Sequence, residues 1–221
     1  MPPPNPKRLL VEGDEDKRII PQFMEYFTPW GNTKNTWPLE IVSCDGVENL
    51  LSPGNLTVEF KQNHVEILGV IVDANGDPQA RWAAIRNDVI DELPEIPVEL
   101  PREGLVLQKG KKKFGVWLMP DNRSTGMIET FLSLFIKDTD KGLWKHVDEF
   151  CSKARSEHKA CYKPAHYDKV KIHAWLAVQD PPGCQLQVAV TAKVLEPISP
   201  YADAFAEWFC KLFNLPCTKK T

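Results

Sequence analysis

An α/β fold with a mainly parallel sheet is what this sequence predicts, and three observations carry the prediction. Short apolar runs alternate with amphipathic segments, the arrangement of right-handed βαβ crossovers. Turn chemistry closes the runs, at Glu12-Gly13, at Asp45-Gly46 and across Asp73-Ala74-Asn75-Gly76-Asp77-Pro78. Beyond residue 126 the pattern turns helical, which gives an α/β half followed by a helical half able to pack on the same sheet. At 221 residues the chain is long enough for one sizeable core. The expectation is a single domain over 1–221, with a core at about 7–135 and a helical C-terminal elaboration at about 136–215.

In order along the chain, residues 8–12 read as a buried strand. Residues 14–27 read as a helix with Ile19, Ile20, Phe23 and Phe27 on one side and Pro21 as a kink or late start. Leu39 to Ser43 is a second strand, and Pro53 to Gln62 a helix with Pro53 in its first turn. The segment 65–73 is the most strand-like of the chain, and 79–93 follows as a helix. Leu105 to Gln108 and Phe114 to Met119 read as two strands joined by a turn over Lys109–Lys113. Helices are expected at 127–136, 143–153, 165–179 and 201–213, punctuated by Pro181-Pro182-Gly183 and by Pro197 to Pro200. Apart from the proline-rich first six residues there is no repeat or low-complexity tract.

Charge and composition exclude several classes. Lys+Arg 27 against Asp+Glu 30 leaves −3, so no whole-molecule positive field marks a nucleic-acid-coating protein. The start is no secretory signal and no run reaches the ~20 apolar residues of a membrane helix, so a cytoplasmic protein without a membrane partner is expected. The six cysteines contain no CxxC pair and read as reduced thiols. Cys151, His158, Cys161 and His166 match no usual zinc spacing and read as scattered positions around a helix. No GxxxxGK[ST], GxGxxG or GxSxG is present.

Where the acids sit is more informative. In an open parallel sheet ligands bind beyond the carboxyl ends of the strands. Glu12, Asp73 and Asp121 stand at three such ends, each followed by turn-forming residues. Asp16 lies four residues past Glu12, Asn75 and Asp77 follow Asp73, and Glu129 lies early in the helix after Asp121. Carboxylates packed this densely repel one another unless a cation shares them, and hard oxygen donors suit Mg²⁺ or Mn²⁺. The simpler reading is helix N-terminal capping, which fits Asp14 and Asp77.

These residues carry a resemblance. Leu10-Val11-Glu12-Gly13-Asp14-Glu15-Asp16 with Ile71-Val72-Asp73-Ala74-Asn75 resembles a TOPRIM domain, the catalytic module of primases, topoisomerases and OLD-family nucleases. With Gly115 to Asn122, Gly126 to Leu132 and His173 to Ala177 added, the chain from about Lys7 to Phe213 is similar to a small TOPRIM-related family of unknown function in bacteria and archaea. The resemblance implies a TOPRIM-like, four-stranded parallel central sheet flanked by helices, here with an added hairpin. It also implies metal-dependent phosphodiester chemistry on nucleic acid, in a context such as defence. The family glutamate falls on Glu12, a metal neighbour or general acid/base, and the second acid on Asp16. The Asp-x-Asp metal motif falls on Asp73-Ala74-Asn75, where an amide replaces the second carboxylate: Asn75 can still offer its carbonyl oxygen but no charge, so Asp77 would compensate, or Asp121 and Glu129 would hold the cation instead. Lys171 is the candidate for neutralising transition-state charge, with a solvated helix lysine as its alternative; His173 and Trp175 read as core.

For nucleic-acid contact the candidates are Lys111, Lys112 and Lys113 at the hairpin tip and Arg123 beside Asp121. A charged turn guarding a sheet edge explains the lysines equally well. The competing function is a catalytically inactive TOPRIM-like module that docks a protein or nucleotide partner. The late aromatic helix (Tyr201, Phe205, Trp208, Phe209, Phe213) reads as core, with a homodimer face as the alternative.

Overall fold

β1 (Lys7–Val11) is the strand on which the sheet is built, because its alternating side chains serve both faces. Leu9 and Val11 point into one apolar cluster and Leu10 into the other. The computed structural model describes residues 4–31, 33 and 36–218, so the first three residues of the proline-rich start lie outside the described residues. β2 (Glu40–Ser43), β3 (Ile67–Asp73), β4 (Leu105–Lys109) and β5 (Lys112–Met119) complete a sheet of order β2-β1-β3-β5-β4. β2, β1, β3 and β5 run parallel, and β4 is antiparallel to β5 through a hairpin. All parallel strands therefore end on one side, where Glu12 and Asp73 emerge.

Helices cover both faces. α1 (Asp14–Met24), α5 (Ile128–Ser133), α6 (Lys141–Ser156), α7 (Tyr167–Leu176), α8 (Leu186–Thr191) and α9 (Pro200–Phe213) build the larger cluster. α2 (Val47–Leu50), α3 (Asn55–Lys61) and α4 (Pro78–Val89) build the smaller one on the opposite face. α9 lies against the middle of the sheet because two glycines leave room for it. Gly69 and Gly115 are register partners on β3 and β5. A Cβ at Gly69 would come within 2.6 Å of Phe213 and 3.0 Å of Leu212, and one at Gly115 within 2.6 Å of Leu212. The aromatic face of α9 is therefore consumed by the chain's own core, with Phe205, Trp208, Phe209 and Phe213 buried and only Tyr201 exposed. Core burial is thus the outcome for this helix, and the alternative of a dimer face is set aside.

Several element boundaries differ from expectation for identifiable reasons. Pro21 sits inside α1 without ending it: the lost bond to the carbonyl four residues back and the crowding of its ring are outweighed by the burial of Ile19, Ile20, Phe23 and Met24. α3 begins after Pro53, at Asn55, because its free amides are met from another helix. The Asp88 carboxylate of α4 accepts from the Leu56 N–H at 2.8 Å and the Thr57 N–H at 3.3 Å. The β4–β5 turn is only Gly110-Lys111, with Gly110 at φ +58°, while Lys109 and Lys112 pair within the ladder.

After β5 the chain is fixed by one buried amide. The Asn122 side chain accepts from the Leu118 N–H at 2.8 Å and donates to the Arg102 carbonyl at 3.0 Å, from a left-handed backbone at φ +64° that asparagine tolerates well. Asn122→Ala orphans the buried Leu118 N–H and frees the Arg102 carbonyl, so a loss of about 2 kcal/mol in urea-denaturation stability is expected. An unchanged midpoint would show that water satisfies those groups.

Candidate active site

At the carboxyl edge of the sheet, four acidic side chains from three segments lie close enough to shift one another's ionisation. Glu12 follows β1 and Asp73 ends β3. Asp16 sits in the first turn of α1, and Glu129 in the first turn of α5. They are cross-linked by main-chain amides. The Asp73 N–H donates to Glu12 Oε1 at 2.8 Å, the Ile128 N–H donates to Asp73 Oδ1 at 2.9 Å, and the Gly13 N–H donates to Asp16 Oδ2 at 2.9 Å. The last two bonds place carboxylates at the starts of α5 and α1, where free amides favour anions.

Those amides do not offset burial. Burial pushes the Asp16 carboxyl up to about 7, helped by Glu12, Glu129 and Glu15 and opposed only by the Gly13 amide. Burial, then Glu12, Asp16 and Glu129, hold Asp73 well above the usual carboxylate range. Glu12 is raised by burial too, with the Asp73 amide and the Arg81 charge working against it. A group of carboxyls that resists full ionisation is one that a positive charge would stabilise.

One fixed cation already meets the cluster. Lys169 of α7 lies 3.0 Å from Glu129, which is 3% exposed, and 2.7 Å from Glu15. Burial pulls its ammonium down, but Glu15 and Glu129 more than offset this and its pKa is raised. His173, one helical turn on, reaches Glu15 at 3.9 Å with a side chain 43% exposed, so it is not the core residue expected. Lys171 is elsewhere: two positions along a helix is about 200° of rotation. It pairs with Asp148 at 2.6 Å and lies 4.2 Å from the Trp144 ring centroid. The lysine at the carboxylates is Lys169.

The remaining candidates are drawn into local structure. Asp77 is exposed and caps α4, accepting from the Ala80 N–H at 2.9 Å. Asp121 closes its own turn, accepting from the Arg123 N–H at 3.0 Å and from the Ser124 N–H and hydroxyl at 2.7 and 2.9 Å; Arg123 itself is exposed. Asn75 adopts φ +51° and its main chain pairs with Gly126 in both directions, at 2.7 and 2.8 Å. That bridge ties the β3 loop to the segment leading into α5, and explains why an asparagine suits the position.

The lysine run stands at the far end of the sheet, roughly 20 Å away along β5 at ~3.3 Å per residue. Lys112 donates to the carbonyls of Phe60 and Gln62 at 2.7 and 2.8 Å, and Lys113 to Lys211 O and Asn214 Oδ1 at 3.2 and 2.6 Å. Both therefore satisfy the ends of α3 and α9. Lys111 alone of the three is exposed. The run is not assembled with the carboxylates.

Among the described residues, no three His, Cys, Asp or Glu side chains stand in an arrangement that could hold a metal ion as it is. Mg²⁺ asks for less, since it is commonly held by one or two carboxylates, with water and substrate phosphate filling the other positions. Glu12 and Asp73, joined through one hydrogen bond and raised in pKa, fit that requirement in donor chemistry.

Among the described residues, no helix is long and apolar enough to cross a membrane. Neither a curated protein nor a solved structure matches the chain. A family model described as "Protein of unknown function (DUF3226)" matches residues 6–214. With nearly its whole length covered by that match, the chain belongs to the DUF3226 family.

Proposed function

We propose that the protein performs Mg²⁺- or Mn²⁺-dependent phosphodiester chemistry on nucleic acid, with a TOPRIM-like arrangement of its parallel sheet and acids. The observation that carries this reading is the gathering of Glu12, Asp16, Asp73 and Glu129 at the carboxyl edge of β1 and β3, with three of the four raised in pKa. Glu12 and Asp73 would hold the metal. A bound dication supplies charge to polarise a phosphoryl oxygen and lowers the pKa of water. Asp16, near 7, can hold or release a proton at neutral pH, the property a general acid or base needs. Lys169 keeps Glu129 and Glu15 paired and brings a positive charge to the edge of the site, where phosphate oxygens gather charge.

The test is incubation of single- and double-stranded DNA and RNA with the protein and Mg²⁺ or Mn²⁺. Cleavage by the wild type, with a loss of about 100-fold or more in Asp73→Asn and Glu12→Gln, is expected. Equal inertness of wild type and variants on all substrates with both metals would remove the nuclease reading.

One observation favours a second reading. Asn75 is engaged through its backbone in the bridge to Gly126 and brings no charge to the site. A catalytically inactive module that docks a nucleotide or protein partner through the same pocket would retain this architecture without cleavage.

A further inference from the structure

The net charge of −3 hides a local reversal. From Lys141 to Lys171 there are eight Lys and Arg side chains against four Asp and Glu, so α6, α7 and the loop between them form a positive part of an acidic protein. Lys169 and Lys171 are engaged by carboxylates. Lys153, Arg155, Lys159 and Lys163 are exposed and make no ion pair among the described residues.

Among these charges lies a pocket of about 360 Å³ lined by Ser152, Arg155, Ser156, Tyr162 and Tyr167. Its construction follows from the sequence. Positions 152, 155 and 156 share one face of the last turns of α6. The chain then folds back over that face: the Ala160 N–H donates to the Ala154 carbonyl at 2.9 Å, Lys159 takes φ +58°, and the Tyr162 hydroxyl donates to the Cys151 carbonyl at 2.7 Å. This brings the Arg155 guanidinium to 5.8 Å from the Tyr162 ring centroid and the Tyr162 and Tyr167 rings to 6.2 Å. No carboxylate lines the wall. Asp148, which accepts from the Tyr167 hydroxyl, is neutralised by Lys171. Three carbonyls near the end of α6, which would repel an anion, are already engaged: Lys153 by the Glu157 amide, Ala154 by the Ala160 amide and Cys151 by the Tyr162 hydroxyl.

A guanidinium and two hydroxyls suit a phosphate, while an aromatic ring beside the guanidinium suits a flat base. A free inorganic anion would not need the ring, and a purely apolar ligand would not need the cations. We propose that this pocket seats one nucleotide of a single-stranded nucleic acid, its phosphate on Arg155 and the serine hydroxyls and its base stacked against Tyr162. The proposal rests on the reading that nucleic acid is the substrate, and it is independent of the chemistry at Glu12 and Asp73.

The experiment is fluorescence anisotropy of the full chain with a labelled single-stranded oligothymidylate of about 15 nucleotides, in EDTA so that no cleavage intervenes. Arg155→Glu, Tyr162→Leu and Tyr162→Phe are compared, with circular dichroism to verify folding. Arg155→Glu and Tyr162→Leu should each weaken binding about 10-fold or more, and Tyr162→Phe, which keeps the ring, should stay close to wild type. A duplex of the same length should be insensitive to Tyr162→Leu. The proposal falls if the wild type does not bind, if both variants bind as well as wild type, or if only Arg155→Glu has an effect, which would reduce the site to surface charge. Binding that depends on Arg155 and Tyr162 without any cleavage would sustain this site and discard the nuclease reading. Cleavage that depends on Asp73 while oligonucleotide affinity ignores Arg155 and Tyr162 would do the reverse.

Discussion

Replacing Phe205 by alanine is expected to remove about 3–5 kcal/mol of folding stability. Phe205 is 1% exposed and is the aromatic at which the larger core converges. Its ring centroid lies 5.3 Å from Trp117 of β5, 5.3 Å from Phe131 of α5 and 5.5 Å from Phe23 of α1. It also meets Trp208 at 5.7 Å and Phe209 at 5.9 Å on its own helix. A void here is bounded by separate elements, each held by other contacts, so the walls cannot close without moving the sheet and two helices together. That places the cost at the high end of what truncation of a large side chain removes, because the dispersion contacts of the surrounding rings are lost as well. Urea denaturation is the measurement, with a fall in midpoint at unchanged slope. Tyr201→Ala, on the same helix but at a position 47% exposed, supplies the control, with an expected change within about 0.5 kcal/mol. Equal losses for the two would show that α9 contributes through helix formation and not through its buried face.

The sheet was legible because its strands carry their own evidence. Buried on both faces, β3 reads Ile67-Leu68-Gly69-Val70-Ile71-Val72-Asp73, a nearly continuous apolar run that no amphipathic helix would show. The convergence of Glu12, Asp16, Asp73 and Glu129 followed from their places at strand ends and early helical turns. What stayed hidden depended on orientation or on distant partners. Lys169 and Lys171 differ only by about 200° around α7, and which faces the acids is decided by how α7 packs on α5 and α6. Lys112 and Lys113 read as a free basic run, yet they meet carbonyls of Phe60, Gln62 and Lys211, about 50 to 100 residues away in sequence. Asp77 and Asp121 stand in the expected loops, but each is absorbed by its own turn, a competition that Asp and Asn side chains routinely win. The α6–α7 pocket was invisible for the same reason, since Tyr162 reaches Arg155 only after the chain reverses at Lys159.

The acid cluster makes a prediction about stability whose sign separates it from an ordinary ion-paired site. Asp16 is held at about 7 against its ordinary 3.8, and Glu12 and Asp73 are raised as well. Between about pH 4 and pH 7 the folded protein thus keeps protons that the unfolded chain has released. Stability from these groups is fully present below the unfolded value and is lost as pH rises through the folded one. The metal-free protein is therefore expected to weaken between about pH 5 and pH 8. For Asp16 alone the span from 3.8 to about 7 corresponds to about 4 kcal/mol, of which roughly half falls above pH 5.5, spread across the cluster because the carboxyls share protons. Mg²⁺ should invert the trend. It competes with protons for the same oxygens, so its stabilisation grows as pH rises, on top of the concentration dependence of any ligand that binds only the folded state. Asp73→Asn removes one buried charge, so it should flatten the metal-free profile and abolish the response to Mg²⁺. Urea midpoints at about pH 5.5 and pH 8, in EDTA and in excess Mg²⁺, measure all four corners. Stability that climbs from pH 5.5 to pH 8 without metal would show that the carboxyls ionise freely. An Mg²⁺ shift of the same size in wild type and Asp73→Asn would place the ion elsewhere on the protein.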